Sequence, residues 1–161
     1  MKNILLISVI FVALIGCNSS DSQFVDESTT TEESSYDSLL AVETGADAYG
    51  MRQYVMANLI AGPNRDQDST EAARLQRAHM DNITRMAEEG KLVLAGPYLD
   101  NQEIRGIYVF AVETIEEAEA LTKTDPAIQA GRLKMELRPW YGSAALMKIN
   151  ELHGKLSKEK I

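Results

Sequence analysis

With 161 residues, the chain is long enough for one independently folded domain and too short to hide a second catalytic one. Its formal net charge of -8 is unevenly placed: residues 18–48 carry eight acids and no Lys or Arg, whereas from residue 49 onward sixteen acids meet fifteen bases. The folded part is therefore close to neutral, which argues against nucleic acid as a partner, and the single cysteine excludes an intrachain disulfide.

Lys2 and Asn3 lead into the apolar run Ile4 to Leu14, followed by Ile15, Gly16 and Cys17. This is the layout of a charged n-region, a short h-region and a small-residue cleavage site. Eleven residues are too few to span a bilayer. Leu14-Ile15-Gly16-Cys17 resembles a lipobox, which implies removal of residues 1–16 and acylation of Cys17. An ordinary signal peptide or short anchor with an incidental cysteine is the other reading. Asn18 in place of Asp resembles lipoproteins sorted to the outer membrane in enterobacteria. That implies a lipid-anchored chain at the cell envelope, facing the periplasm.

Residues 17–48 are expected to form a disordered acidic tether, because Ser, Thr, Asp and Glu dominate and too little apolar surface is present to offset the ordering entropy. A short helix is admissible at 38–48. The folded domain is expected at 49–142, with 143–161 as a C-terminal helix or tail.

Tyr54 to Ala61 form an apolar run of strand length that stops at Gly62-Pro63. Asp68, three residues before Glu71, offers a capping box for a helix to about Glu89, closed by Gly90 in the left-handed conformation. Leu75, His79, Asn82 and Met86 share one side of that helix, so its buried stripe has a histidine in the middle. Lys91 to Ala95 read as a second strand ending at Gly96-Pro97, and Ile104 to Val112 as a third. Thr114 and Glu117 open a second helix that ends near Lys123. A short turn at Pro126 to Ala130 precedes a fourth strand, Arg132 to Arg138, and residues 144–157 suit a terminal helix.

The order β-α-β-β-α-β is that of the α+β ferredoxin-like plait, with two helices on one face of a four-stranded antiparallel sheet. The other face needs cover, and a homodimer with sheets face to face would supply it.

Two readings of His79 stand. It is either a core histidine bonded to a carbonyl, or a general base or acid in a cleft between helix and sheet. Asp125 before Pro126 reads as a helix N-cap followed by proline at N1, or as the carboxylate that orients His79. Arg74 and Arg77 flank His79 and either bind an anionic substrate or face solvent. Trp140 and Tyr141 close one end of the cleft or finish the core, and the core is favoured. A metal centre is not expected: the domain lacks cysteine and metal-type histidine spacing, and His153 lies in the basic tail. No phosphate loop, dinucleotide fingerprint or serine-hydrolase elbow is present either, so no cofactor is expected.

Arg77-Ala78-His79, Leu92 through Leu94-Ala95-Gly96-Pro97, Asp125-Pro126 before Gly131, and the closing Pro139-Trp140 together resemble the YCII-related family, from about Tyr54 to Trp140. The resemblance implies a dimeric α+β barrel of ferredoxin-like subunits and a catalytic pair, His79 and Asp125. One branch of that family eliminates chloride from a chlorinated ring-cleavage product, and similar folds isomerise lactones. The implied chemistry is therefore a cofactor-free lyase or isomerase on a small carbonyl or lactone, with backbone NH groups near Gly96 as the enolate site and Arg77 and Trp140 beside the substrate. The lipid anchor and tether depart from usual members, which argues against an intracellular catabolic role; the alternative to the enzyme is a non-enzymatic envelope module that binds a small ligand or a protein.

Overall fold

The computed structural model describes residues 35–159; the expected signal segment, Cys17 and the acidic stretch up to residue 34 lie outside the described residues. The elements are α1 (Ser38–Thr44), β1 (Met51–Ala61), α2 (Ser69–Glu88), β2 (Leu92–Pro97), β3 (Ile104–Phe110), α3 (Ile115–Thr122), α4 (Pro126–Gln129), β4 (Leu133–Ser143), a 3-10 turn (Ala144–Lys148) and α5 (Ile149–Leu156). The strands form one antiparallel sheet in the order β2-β3-β1-β4, the ferredoxin-like arrangement.

Strand alternation divides β1 between two cores. Val55, Ala57 and Leu59 face Met86 of α2 and Ala118 of α3, together with Leu92, Tyr108 and Phe110. Tyr54 faces the other way, where Val93 and Val109 pack with Trp140, Leu146 and Met147. The chain's own C-terminal segment thus covers part of the sheet face that was expected to await a second copy. The Tyr54 hydroxyl donates to the Ser143 carbonyl at 2.9 Å, fastening that segment to the central strand.

Helix α2 buries Leu75, His79, Asn82 and Met86, the stripe its spacing predicts. Its N-cap is half of the expected box: the Asp68 carboxylate accepts from the Glu71 NH, but the Glu71 side chain turns instead to Arg74. Its C-terminus has the expected geometry. Gly90 sits at φ 67°, its NH donates to the Ala87 carbonyl, and the Lys91 NH donates to Met86. Thr114 and Glu117 form the full capping box of α3.

Several boundaries differ from expectation: β1 begins at Met51, β3 stops at Phe110, and the terminal helix opens as a 3-10 turn. β4 runs five residues beyond Arg138, through Pro139, which pairs with Val55. Proline is tolerated because β4 is an edge strand, where a missing NH leaves no neighbouring strand unpaired. The folded unit also begins at Tyr36 and not near residue 49. Asp37 caps α1, the Arg52 guanidinium donates to the Thr44 carbonyl at 2.9 Å, and Lys148 pairs with Glu43, so the end of the expected tether is tied into the fold.

Gly62 is required by close approach. A Cβ there would lie 2.1 Å from the Gly131 carbonyl, because the chain after β1 continues against the start of β4, with the Gly62 NH donating to the Arg132 carbonyl. This contact brings the α4–β4 junction against the end of β1.

Candidate functional site

His79 projects from the middle of α2 toward the sheet, and Asp125 stands at the N-terminus of α4. Nδ1 of His79 lies 2.6 Å from Oδ2 of Asp125, and both groups are buried. An ionised carboxylate only accepts, so the proton of this bond resides on Nδ1. The other oxygen of Asp125, Oδ1, accepts from the Ala127 NH at 2.8 Å. Asp125 therefore fulfils both readings of the sequence at once, capping α4 with one oxygen and holding His79 with the other.

Nε2 of His79 lies 3.3 Å from the Tyr108 hydroxyl, and the two rings are nearly parallel with centroids 6.2 Å apart. Burial pushes the Tyr108 phenol well above its ordinary value of 10.0, and the negative charge of Asp125 adds to the shift. Tyr108 thus stays protonated, and its hydroxyl is the donor to Nε2 whenever the His79 ring carries its one proton on Nδ1. The result is a continuous chain, Asp125 to His79 to Tyr108, linking α4, α2 and β3.

A second rung lies beside it. Asn82 is one helical turn past His79 and Thr124 directly precedes Asp125. Arg85 donates to the Asn82 side-chain oxygen at 2.8 Å and to the Thr124 hydroxyl at 2.9 Å, and the single proton of that hydroxyl has the Leu121 carbonyl at 2.7 Å and the Asn82 oxygen at 3.1 Å as acceptors. These bonds hold the loop that carries Asp125 against α2, so the 2.6 Å contact rests on more than its own two groups.

The other residues expected at the site stand elsewhere. Arg77 is exposed, because two helical positions from His79 is the opposite side of α2. Trp140 pairs with Tyr54 in the sheet, and their rings lie 5.7 Å apart on the face away from the helices, so it finishes the second core. Gly96 pairs with Ile107, one residue off Tyr108 and so of opposite facing, and packs its carbonyl against Gly106. In the single chain none of the three is brought to the His79–Asp125 pair.

The expected cleft beside His79 is also closed. His79 is 7 % exposed, Tyr108 2 % and Asp125 0 %. Two cavities open elsewhere. One of about 330 Å³ lies among Asp47, Arg52, Glu113 and Tyr141. The other, of about 660 Å³, lies between α2, β2 and α5, where Met80, Ile83, Leu92, Leu94 and Ile149 line it. Neither is lined by His79, Tyr108 or Asp125.

Tyr108 is the functional candidate that sequence reasoning missed. It alternates with Gly106 and Phe110 on the helix-facing side of β3, and its hydroxyl, once buried there, needs a partner. That need was the available signal, and His79 is the group that meets it.

The model of the YCII-related domain matches residues 56–141, more than half of the chain. No curated protein matches the sequence.

Ionisation of Tyr108 gives a test of its burial. In the unfolded chain a tyrosine loses its proton near 10.0, whereas folded Tyr108 keeps it, so above that pH the unfolded state gains and stability falls. Tyr54 is also raised by burial and contributes in the same sense. Denaturant titrations between pH 8 and 11 should show Tyr108→Phe losing stability less steeply than the unaltered chain, by at most about 1.4 kcal/mol per pH unit. Parallel slopes would mean that Tyr108 ionises freely in the folded state.

Proposed function

Because the chain belongs to the YCII-related family, we propose that it is a cofactor-free proton-transfer enzyme, a lyase or isomerase acting beside the carbonyl of a small carbonyl compound or lactone. The observation that carries this reading is the buried 2.6 Å bond between His79 Nδ1 and Asp125. With Nδ1 committed to the carboxylate, Nε2 is the nitrogen that takes the substrate proton, and Asp125 stabilises the imidazolium that forms. Tyr108 gives up Nε2 as that proton arrives, and its retained hydroxyl hydrogen is then available to the oxygen of the developing enolate. General acid–base assistance of this kind contributes roughly 100-fold to 10,000-fold in rate.

A second reading, a non-enzymatic module that binds a small ligand or a protein, is favoured by the burial of the pair and by the position of the larger cavity away from it. Under that reading His79 and Asp125 secure α4 to α2 and do nothing else.

The two readings part in one experiment. Small unsaturated lactones and β-dicarbonyl compounds are incubated with the protein in deuterium oxide, and exchange of the proton beside the carbonyl is followed by NMR. The enzyme reading expects exchange that His79→Ala and Asp125→Asn each slow by about 100-fold or more. Asp125→Asn is informative because the amide oxygen still caps α4, so circular dichroism should show the fold retained. Exchange that is absent from the unaltered chain, or unchanged in both variants, leaves the binding module.

We further propose that the protein works at the cell envelope, held by lipid on Cys17 and paired with a second copy through the open part of its sheet. Labelled palmitate should enter the unaltered chain and not Cys17→Ala. Label in that variant would require another account of the amino terminus.

A further inference from the structure

Three arginines meet at the end of the sheet where β1 finishes. Arg65 lies in the loop after β1, Arg105 in β3 and Arg132 directly before β4. Ile60 pairs with Ile104 and Ala61 with Leu133, so β3 and β4 flank β1 at this point and bring the two backbone segments that carry Arg105 and Arg132 to either side of it. Arg65 Nη1 donates to the Arg132 carbonyl at 3.3 Å, and Arg132 Nη1 donates to Gln67 at 2.8 Å. Among the described residues, none of the three is ion-paired with a carboxylate. Of the nearby acids, Asp68 is already used as the N-cap of α2, and Asp66, next to Arg65, makes no ion pair among the described residues.

Arg105 is the extra residue of a bulge. Leu59 pairs with Gly106 and Ile60 with Ile104, which leaves Arg105 unmatched between them. Bulges of this kind re-aim a side chain, and they are common beside functional sites. Among the described residues the Nε of Arg105, like that of Arg52, is buried without a hydrogen-bond partner, and such orphaned donors are uncommon in native folds. Although Arg65 is largely exposed, partial desolvation of its guanidinium and then the positive charges of Arg132 and Arg105 hold it below its ordinary range, as expected of cations gathered without an anion.

We propose that Arg65, Arg105 and Arg132 form a binding site for a small oxyanion, the carboxylate or phosphate group of an organic ligand. Guanidinium groups suit such a ligand because their planar forks donate paired hydrogen bonds to two oxygens at once. An anion seated among them would take up the free Nε of Arg105 and relieve the mutual repulsion of the three cations. The site is separate from His79 and Asp125, and it stands or falls without them.

Isothermal titration of the full chain at fixed ionic strength tests this, with inorganic phosphate in one arm, citrate in a second and chloride as the reference. The expected result is saturable binding of phosphate, citrate or both, weakened by about tenfold or more in Arg105→Gln and in Arg65→Gln. Arg65→Gln alters an exposed side chain, so it keeps the test open should Arg105→Gln fold poorly. Lys123→Gln, which removes an exposed cation elsewhere, should bind as the unaltered chain does. Heats indistinguishable from chloride, or equal affinity in the arginine variants, overturn the proposal. A chain that binds neither probe, and whose oligomeric mass falls in those variants, overturns it in favour of a contact between copies. His79→Ala should leave the binding intact, so failure here is distinct from failure of the proton-transfer reading.

Discussion

Two polar side chains shut away from water determine much of this molecule. Burying a carboxylate and an imidazole costs several kcal/mol unless each of their oxygens and nitrogens finds a partner. Here the accounting closes. Asp125 divides its oxygens between the Ala127 NH and His79, and His79 divides its nitrogens between Asp125 and Tyr108. Because the three residues come from α4, α2 and β3, satisfying them fixes the rotation of α2, the starting point of α4 and the height of both above the sheet. Loss of any one member leaves a buried group unpaired, at about 1–3 kcal/mol.

This arrangement dissolves the opposition between a structural and a functional role for each residue. Asp125 does cap a helix, and the same carboxylate does orient a histidine. A histidine whose Nδ1 is held by a carboxylate and whose Nε2 meets only a phenol is both well packed and chemically poised. What distinguishes the two readings is access: the pair is closed off in the single chain, with His79 7 % exposed and Asp125 fully buried.

Much of the fold was legible because its signals are local. The stripe Leu75, His79, Asn82, Met86 follows from helical periodicity, Gly90 from the need for a left-handed closing residue, and Thr114 with Glu117 from reciprocal capping. Signals that depend on the neighbour in space were not legible. Pro139 reads as a strand end until the sheet order makes β4 an edge. Which face Trp140 and Gly96 occupy is set by the register, which places both on the side of the sheet away from His79 in the single chain. Tyr108 reads as one more apolar strand position until its hydroxyl is found against an imidazole that lies 29 residues away in the chain.

The central claim is the direction of the hydrogen-bond chain, and nitrogen-15 NMR of the His79 ring measures it directly. At a pH where the ring is neutral, the account predicts a protonated Nδ1 with a far-downfield proton, an unprotonated Nε2, and an Nε2 shift that moves in Tyr108→Phe. A proton found on Nε2, with Nδ1 bare toward Asp125, would contradict it.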